Sequence, residues 1–140
     1  MENAKGHTIL IVDDEPDILE FLSYNIRKEG FKVYVASNGQ EALRIVQQIN
    51  PSLILLDVMM PVMDGYQVLL GLQESSSTAQ IPLIVATAKT DRDSFRNGMK
   101  LGADDFLPKP FTAQELIDAV STRLIKKDRS DRVTDERVAE

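Results

Sequence analysis

Leu53-Ile54-Leu55-Leu56-Asp57 is the stretch that decides the fold. Four consecutive apolar residues run into a carboxylate. The run is too short to span a membrane and reads as a strand buried on both faces. Such a strand belongs in the middle of a parallel sheet. Open α/β sheets bind their ligands in the crevice at the carboxyl ends of these strands. Asp57 therefore stands at the lip of a sheet. The following Val58-Met59-Met60-Pro61 neither continues a strand nor opens a helix cleanly.

Working outward, strands and helices alternate. Thr8-Ile9-Leu10-Ile11-Val12 is a first buried strand that stops at Asp13-Asp14-Glu15. Pro16 suits the first turn of a helix, where no backbone N–H is needed. Ile18, Leu19, Phe21, Leu22 and Ile26 follow helical spacing up to Gly30. Phe31 to Ala36 alternates like a strand near a sheet edge. Ala42, Leu43, Ile45, Val46 and Ile49 mark a second helix, closed at Asn50-Pro51. Beyond Asp57, Val68 to Leu72 gives a short third helix, and 74–80 reads as a polar loop. Ile81 to Ala86 is a fourth strand ending on Thr87, with Pro82 at its start. A fourth helix is expected over about 91–101, with a weak apolar face and an internal Gly98 that costs about 1 kcal/mol relative to Ala. Asp105-Phe106-Leu107 is a brief fifth strand before Pro108-Lys109-Pro110, and Leu116 to Ile125 forms the last helix. The alternation predicts a doubly wound α/β domain, (βα)5, over residues 8–127. Residues 1–7 form an N-terminal extension, and 128–140 a polar C-terminal tail or linker start.

The 140 residues suffice for one domain with a sizeable core. A content of 43% hydrophobic and 27% charged residues is ordinary for a globular protein. No apolar run approaches the roughly 20 residues of a membrane span, and Met1 to His7 lacks a signal-peptide layout. Without cysteine there is no disulfide, thiolate metal site or thiol catalysis. A formal charge of −6 disfavours nonspecific nucleic-acid binding. A cytoplasmic setting is expected, with no membrane and no direct nucleic acid bound by this domain.

Four strands end in chemically pointed residues: Asp13 and Asp14, Asp57, Thr87, and Lys109 just past the fifth. Singly, each has a plainer reading: a helix N-cap for Asp13-Asp14, a turn residue, a structural threonine, a solvated lysine. Together, at one edge of one sheet, they read differently. If the strand order is 2-1-3-4-5, the first and third strands are neighbours at the switch point and the three aspartates converge. Carboxylates about 4 Å apart repel by roughly 4 kcal/mol at an effective dielectric of 20, so they call for a cation. All-oxygen ligation favours Mg²⁺, with Mn²⁺ as a substitute. Carboxylates, a divalent metal, a lysine and a threonine are what phosphoryl transfer requires. Asp57, alone on its strand, is the candidate nucleophile, and Asp13 and Asp14 are the metal holders.

The ordered set of motifs resembles the response regulator receiver domain of two-component signalling, the CheY-like family. The matching pieces are Ile11-Val12-Asp13-Asp14-Glu15, Leu55-Leu56-Asp57, Met60-Pro61-Val62-Met63-Asp64-Gly65, Ala86-Thr87-Ala88, Gly102-Ala103-Asp104-Asp105-Phe106 and Lys109-Pro110-Phe111. The resemblance covers about residues 7–127. It implies a flavodoxin-like three-layer sandwich with strand order 2-1-3-4-5. It implies that Asp57 accepts phosphate from a histidine kinase or phosphotransfer protein. Asp13, Asp14, Asp57 and the backbone carbonyl of Met59 would bind Mg²⁺, and Thr87 and Lys109 would contact the phosphoryl group. Thr87 and Phe106 would form the switch, and Lys109-Pro110 would be cis. The output would be a binding surface made by the fourth helix, fifth strand and fifth helix, serving an output domain or partner protein. Such a domain is a phosphoacceptor and not a turnover enzyme. It would be a monomer or a weak dimer promoted by phosphorylation.

Some positions vary from the family pattern. Met59 and Lys89, two residues past Asp57 and Thr87, cannot position an attacking water, which points to slow or moderate dephosphorylation. Phe106 offers no phenolic hydroxyl. Phe95 and Ala119 stand where the winged-helix transcription-factor subfamily carries a basic pattern, which argues against that subfamily's dimer. Competing readings fare worse. An aspartyl phosphatase usually needs a second Asp where Met59 stands. A flavin or nucleotide binder would need a phosphate cradle where Asp13-Asp14-Glu15 repels one. A receiver-like scaffold working without phosphorylation would not need this full residue set. His7 and Lys126-Lys127-Asp128-Arg129 read as surface features.

Overall fold

The computed structural model describes residues 6–57, 65–88 and 102–139, with backbone alone for 65–66, 87–88 and 130–139. Its strands are β1 (Thr8–Val12), β2 (Lys32–Ala36), β3 (Leu53–Asp57), β4 (Leu83–Ala88) and β5 (Asp105–Lys109). Its helices are α1 (Pro16–Lys28), α2 (Gly39–Ile49), α3 (Gly65–Gln73), the single turn α4 (Ser76–Ala79) and α5 (Ala113–Ala139). All strand pairs are parallel, in the order β2-β1-β3-β4-β5. The five residues of β3 are all buried, as a strand flanked on both sides and covered on both faces must be.

Alternation along the strands sorts the core into two layers. Ile9, Ile11, Leu53, Leu55 and Ile84 face one way, against Leu22 and Ile26 of α1 and Leu116, Val120 and Leu124 of α5. Leu10, Val12, Ile54, Leu56 and Val85 face the other way, against Val46 of α2 and Val68, Leu69 and Leu72 of α3. The result is a three-layer sandwich. Each such buried Leu or Ile contributes roughly 1.5–3 kcal/mol relative to exposure. Among the described residues, no helix is long and apolar enough to cross a membrane.

Local chemistry sets the element ends. Pro16 takes the N-terminal position of α1, and Gly30 turns the chain out of that helix at φ +98°. Asn38 caps α2, its side chain accepting from Glu41 N–H at 2.9 Å, and Asn50 closes the helix in the left-handed region at φ +45°.

Several sequence expectations shift. β4 starts two residues later than read and runs through Thr87 to Ala88. β5 extends to Lys109, and part of the expected 74–80 loop is helical. α5 continues through the polar tail to Ala139, since Lys, Arg and Glu carry good helix propensity and nothing there breaks the helix. Phe21, read as part of the inner stripe of α1, is 42% exposed because Leu22 and Ile26 take the inner face. The helix expected over 91–101 lies outside the described residues.

Candidate functional site

β1 and β3 pair with Val12 opposite Leu56, so Asp13 and Asp57 are the next residues in that register. The backbone N–H of Asp13 donates to Ala36 O at 3.1 Å, carrying the β1–β2 ladder one residue further. Asp13 Oδ1 accepts from Glu15 N–H at 3.0 Å, which ties down the turn into α1. The N-cap position itself belongs to Glu15, whose side chain makes no cap bond. Asp13 is therefore a turn-forming carboxylate with its other oxygen left for the crevice.

Asp13, Asp14 and Asp57 each present a carboxylate oxygen, and these oxygens lie within 4.8 Å of one another. Asp13 is 2% and Asp57 4% exposed, so water screens them poorly. Lys109 answers from the end of β5. Its Nζ stands 3.6 Å from Asp57 Oδ1 and 3.7 Å from Asp13 Oδ2. Three carboxylates against one ammonium leave two uncompensated negative charges in the ionised site. That is the charge of one hard divalent cation, and the all-oxygen donor set suits Mg²⁺.

The structure thus brings Asp13, Asp14, Asp57 and Lys109 together. Thr87 enters through its backbone: Asp57 pairs with Ala86, and Thr87 follows opposite Pro108. The side chain of Thr87 and all of Met59 lie outside the described residues. Phe106 is partly buried against the layer containing α2 and α3. The Lys109-Pro110 bond is cis, as the resemblance implies. Ala119 is partly buried against the other layer.

Two features escaped the sequence reading. An apolar groove of about 340 Å³ beside the site is lined by Ile18, Phe21, Leu22, Lys109, Pro110 and Phe111. At the opposite pole of the sheet, His7 Nε2 meets Asp128 Oδ2 at 3.2 Å, pinning the helical tail to the start of β1. Neither has a local signature, since each joins residues far apart in the chain.

Comparison with known proteins agrees with this geometry. The family model described as response regulator receiver domain matches residues 9–121. The DNA-binding response regulator MtrA of Mycolicibacterium smegmatis is 41% identical over 116 residues, which are 83% of this chain and 50% of that protein. The chain therefore spans about half the length of this curated relative. A response regulator receiver domain protein from Clostridium thermocellum superposes with a TM-score of 0.80 at 31% identity, covering 87% of this chain and 97% of the other. The chemotaxis protein CheY4 of Vibrio cholerae gives a TM-score of 0.79 at 29% identity, covering 83% and 97%. With the flavodoxin-like strand order and the aspartate crevice in place, the chain belongs to the response regulator receiver domain family.

Proposed function

We propose that Asp57 accepts a phosphoryl group from a histidine kinase or phosphotransfer protein, in the presence of Mg²⁺. The observation that carries this reading is the convergence of three carboxylates within 4.8 Å, with one lysine shared between two of them. Asp13, Asp14, Asp57 and the backbone carbonyl of Met59 would hold the ion, and Mn²⁺ would substitute. When bound, the divalent ion supplies charge neutralisation for an incoming phosphoryl group.

The rest is done by the chain's own residues. A carboxylate oxygen of Asp57 forms a bond to phosphorus as the donor's bond to phosphorus breaks, and the electron pair leaves with the donor. Lys109, already 3.6 Å from Asp57, offsets charge on the transferred group, and Thr87 offers a hydroxyl donor to it. Thr87 and Phe106 then pass the change to a face made by 91–101, β5 and α5, which engages an output domain or partner protein. The domain acts as a regulatory switch in a cytoplasmic setting, a monomer or a weak phosphorylation-promoted dimer, with 8–127 as its receiver unit and 128–140 as tail or linker start.

The test is incubation with Mg²⁺ and acetyl phosphate or beryllofluoride, read by intact mass and NMR, beside Asp57→Asn. One adduct on the wild type and none on the variant is expected. An equal adduct on Asp57→Asn overturns the assignment.

A further inference from the structure

Among the described residues, four large hydrophobic side chains are markedly exposed: Phe21 at 42%, Tyr24 at 64%, Val35 at 38% and Leu70 at 51%. The first three line a single hollow along the outer face of α1 and the edge strand β2. Phe21 and Tyr24 do not stand alone on that helix. At about 100° per residue, Asp17, Phe21, Tyr24 and Lys28 fall within roughly 60° of arc, a stripe about 16 Å long. All four are exposed. The stripe reads acid, aromatic, aromatic, base.

That order is self-complementary. Two α1 helices laid antiparallel about a two-fold axis between Leu22 and Ser23 set Asp17 of each copy opposite Lys28 of the other. The same axis sets Phe21 against Tyr24 twice. A two-fold interface requires this reciprocity. Among the described residues, neither Asp17 nor Lys28 has an ion-pair partner in its own chain. Lys28 Nζ already leans over the Tyr24 ring, 5.9 Å from its centroid, which keeps the charge on the stripe.

We infer that this face of α1 is a self-association surface, and that its occupant is α1 of a second copy of the chain. A patch one helix wide falls short of the ~1,200 Å² of a standard interface, so the dimer is weak, with Kd on the order of 0.1–1 mM. Because Phe21 also walls the groove beside Lys109, the pairing hides one side of that groove.

Sedimentation equilibrium between about 20 μM and 2 mM, around the Kd expected for so small an interface, tests this with a charge swap. The wild type should rise from the mass of one chain toward two. Asp17→Lys or Lys28→Asp alone makes two like-charge contacts per dimer and should lower the association constant about tenfold. The double variant restores opposite charges and should return within about threefold of wild type. Intrachain effects predict the opposite. Each swap opposes the α1 dipole, so the double variant should have the lowest Tm while associating like wild type. A single-chain mass throughout, singles that associate like wild type, or a double as weak as the singles would each overturn the proposal.

Discussion

Replacing Asp57 by Asn should make the metal-free protein more stable. The substitution nearly preserves shape and removes one charge from the crevice. Asp57 lies within 4.8 Å of two other carboxylates, and each repulsion is at least about 3.5 kcal/mol at an effective dielectric of 20. Its attraction to Lys109 at 3.6 Å is about 4.6 kcal/mol on the same scale. The repulsions exceed the attraction by about 2 kcal/mol. The partial exposure of Asp14 lowers that surplus, and relief of the desolvation cost of a carboxylate only 4% exposed restores it. Urea unfolding in EDTA should therefore show Asp57→Asn about 2 kcal/mol more stable than wild type, or roughly 6 °C higher in Tm for a chain of this size. Mg²⁺ should reverse the order. A ligand at 100 times its Kd stabilises by about 2.7 kcal/mol, and the variant has lost one of the three carboxylates that would hold the ion. A variant less stable than wild type in EDTA, or equal Mg²⁺ stabilisation of both proteins, would refute the electrostatic account of the site.

Three further variants carry expected outcomes. Lys109→Ala leaves two buried carboxylates without their shared cation and should cost about 1–3 kcal/mol in EDTA, discounted for the 32% exposure of the lysine side chain. The same variant should take phosphate from acetyl phosphate about 100-fold more slowly, measured by intact mass against time. Met59→Asn with Lys89→Glu supplies groups able to position water and should speed loss of phosphate from Asp57; an unchanged decay rate of the phosphorylated protein would sink that reading. His7→Ala should cost under about 1 kcal/mol but raise amide exchange around Asp128 several-fold, with phosphorylation unchanged.

The fold was legible because its signals are local. Leu53 to Asp57 announces a buried central strand by composition alone, and the alternation of strands and helices announces parallel βαβ units, while the order 2-1-3-4-5 came from the family resemblance. The aspartate crevice was legible because it sits where two neighbouring strands end, one residue beyond the Val12–Leu56 pair. What escaped has a physical reason in each case. Phe21 obeys helical spacing yet faces out, because a 13-residue helix against a sheet buries only a narrow stripe, and Leu22 and Ile26 fill it. The helical tail escaped because polar composition resembles a linker, while the residues themselves are good helix formers. The His7–Asp128 contact joins residues 121 positions apart, and no local pattern encodes it.

The site's charges are not held with equal firmness, and that asymmetry bears on how a signal leaves it. Asp13 and Asp57 issue from β1 and β3, the two strands with neighbours on both sides whose interior residues are at most 1% exposed. Lys109 issues from β5, an edge strand with one neighbour and a mostly half-exposed run of residues. When the charge balance among these groups changes, the adjustment falls on the partner whose movement disturbs the least packing. That partner is Lys109, and with it β5. Its neighbour Phe106 lies against one core layer and Leu107 within the other, so displacement of β5 is felt on both faces of the sheet. Arg123 of α5 is tied to the same strand, donating to Asp104 O at 3.0 Å and standing 3.9 Å from the Asp105 carboxylate. Under the proposed phosphorylation of Asp57, the added charge would therefore act on β5 and α5 through Lys109 sooner than on the central strands that hold the carboxylates.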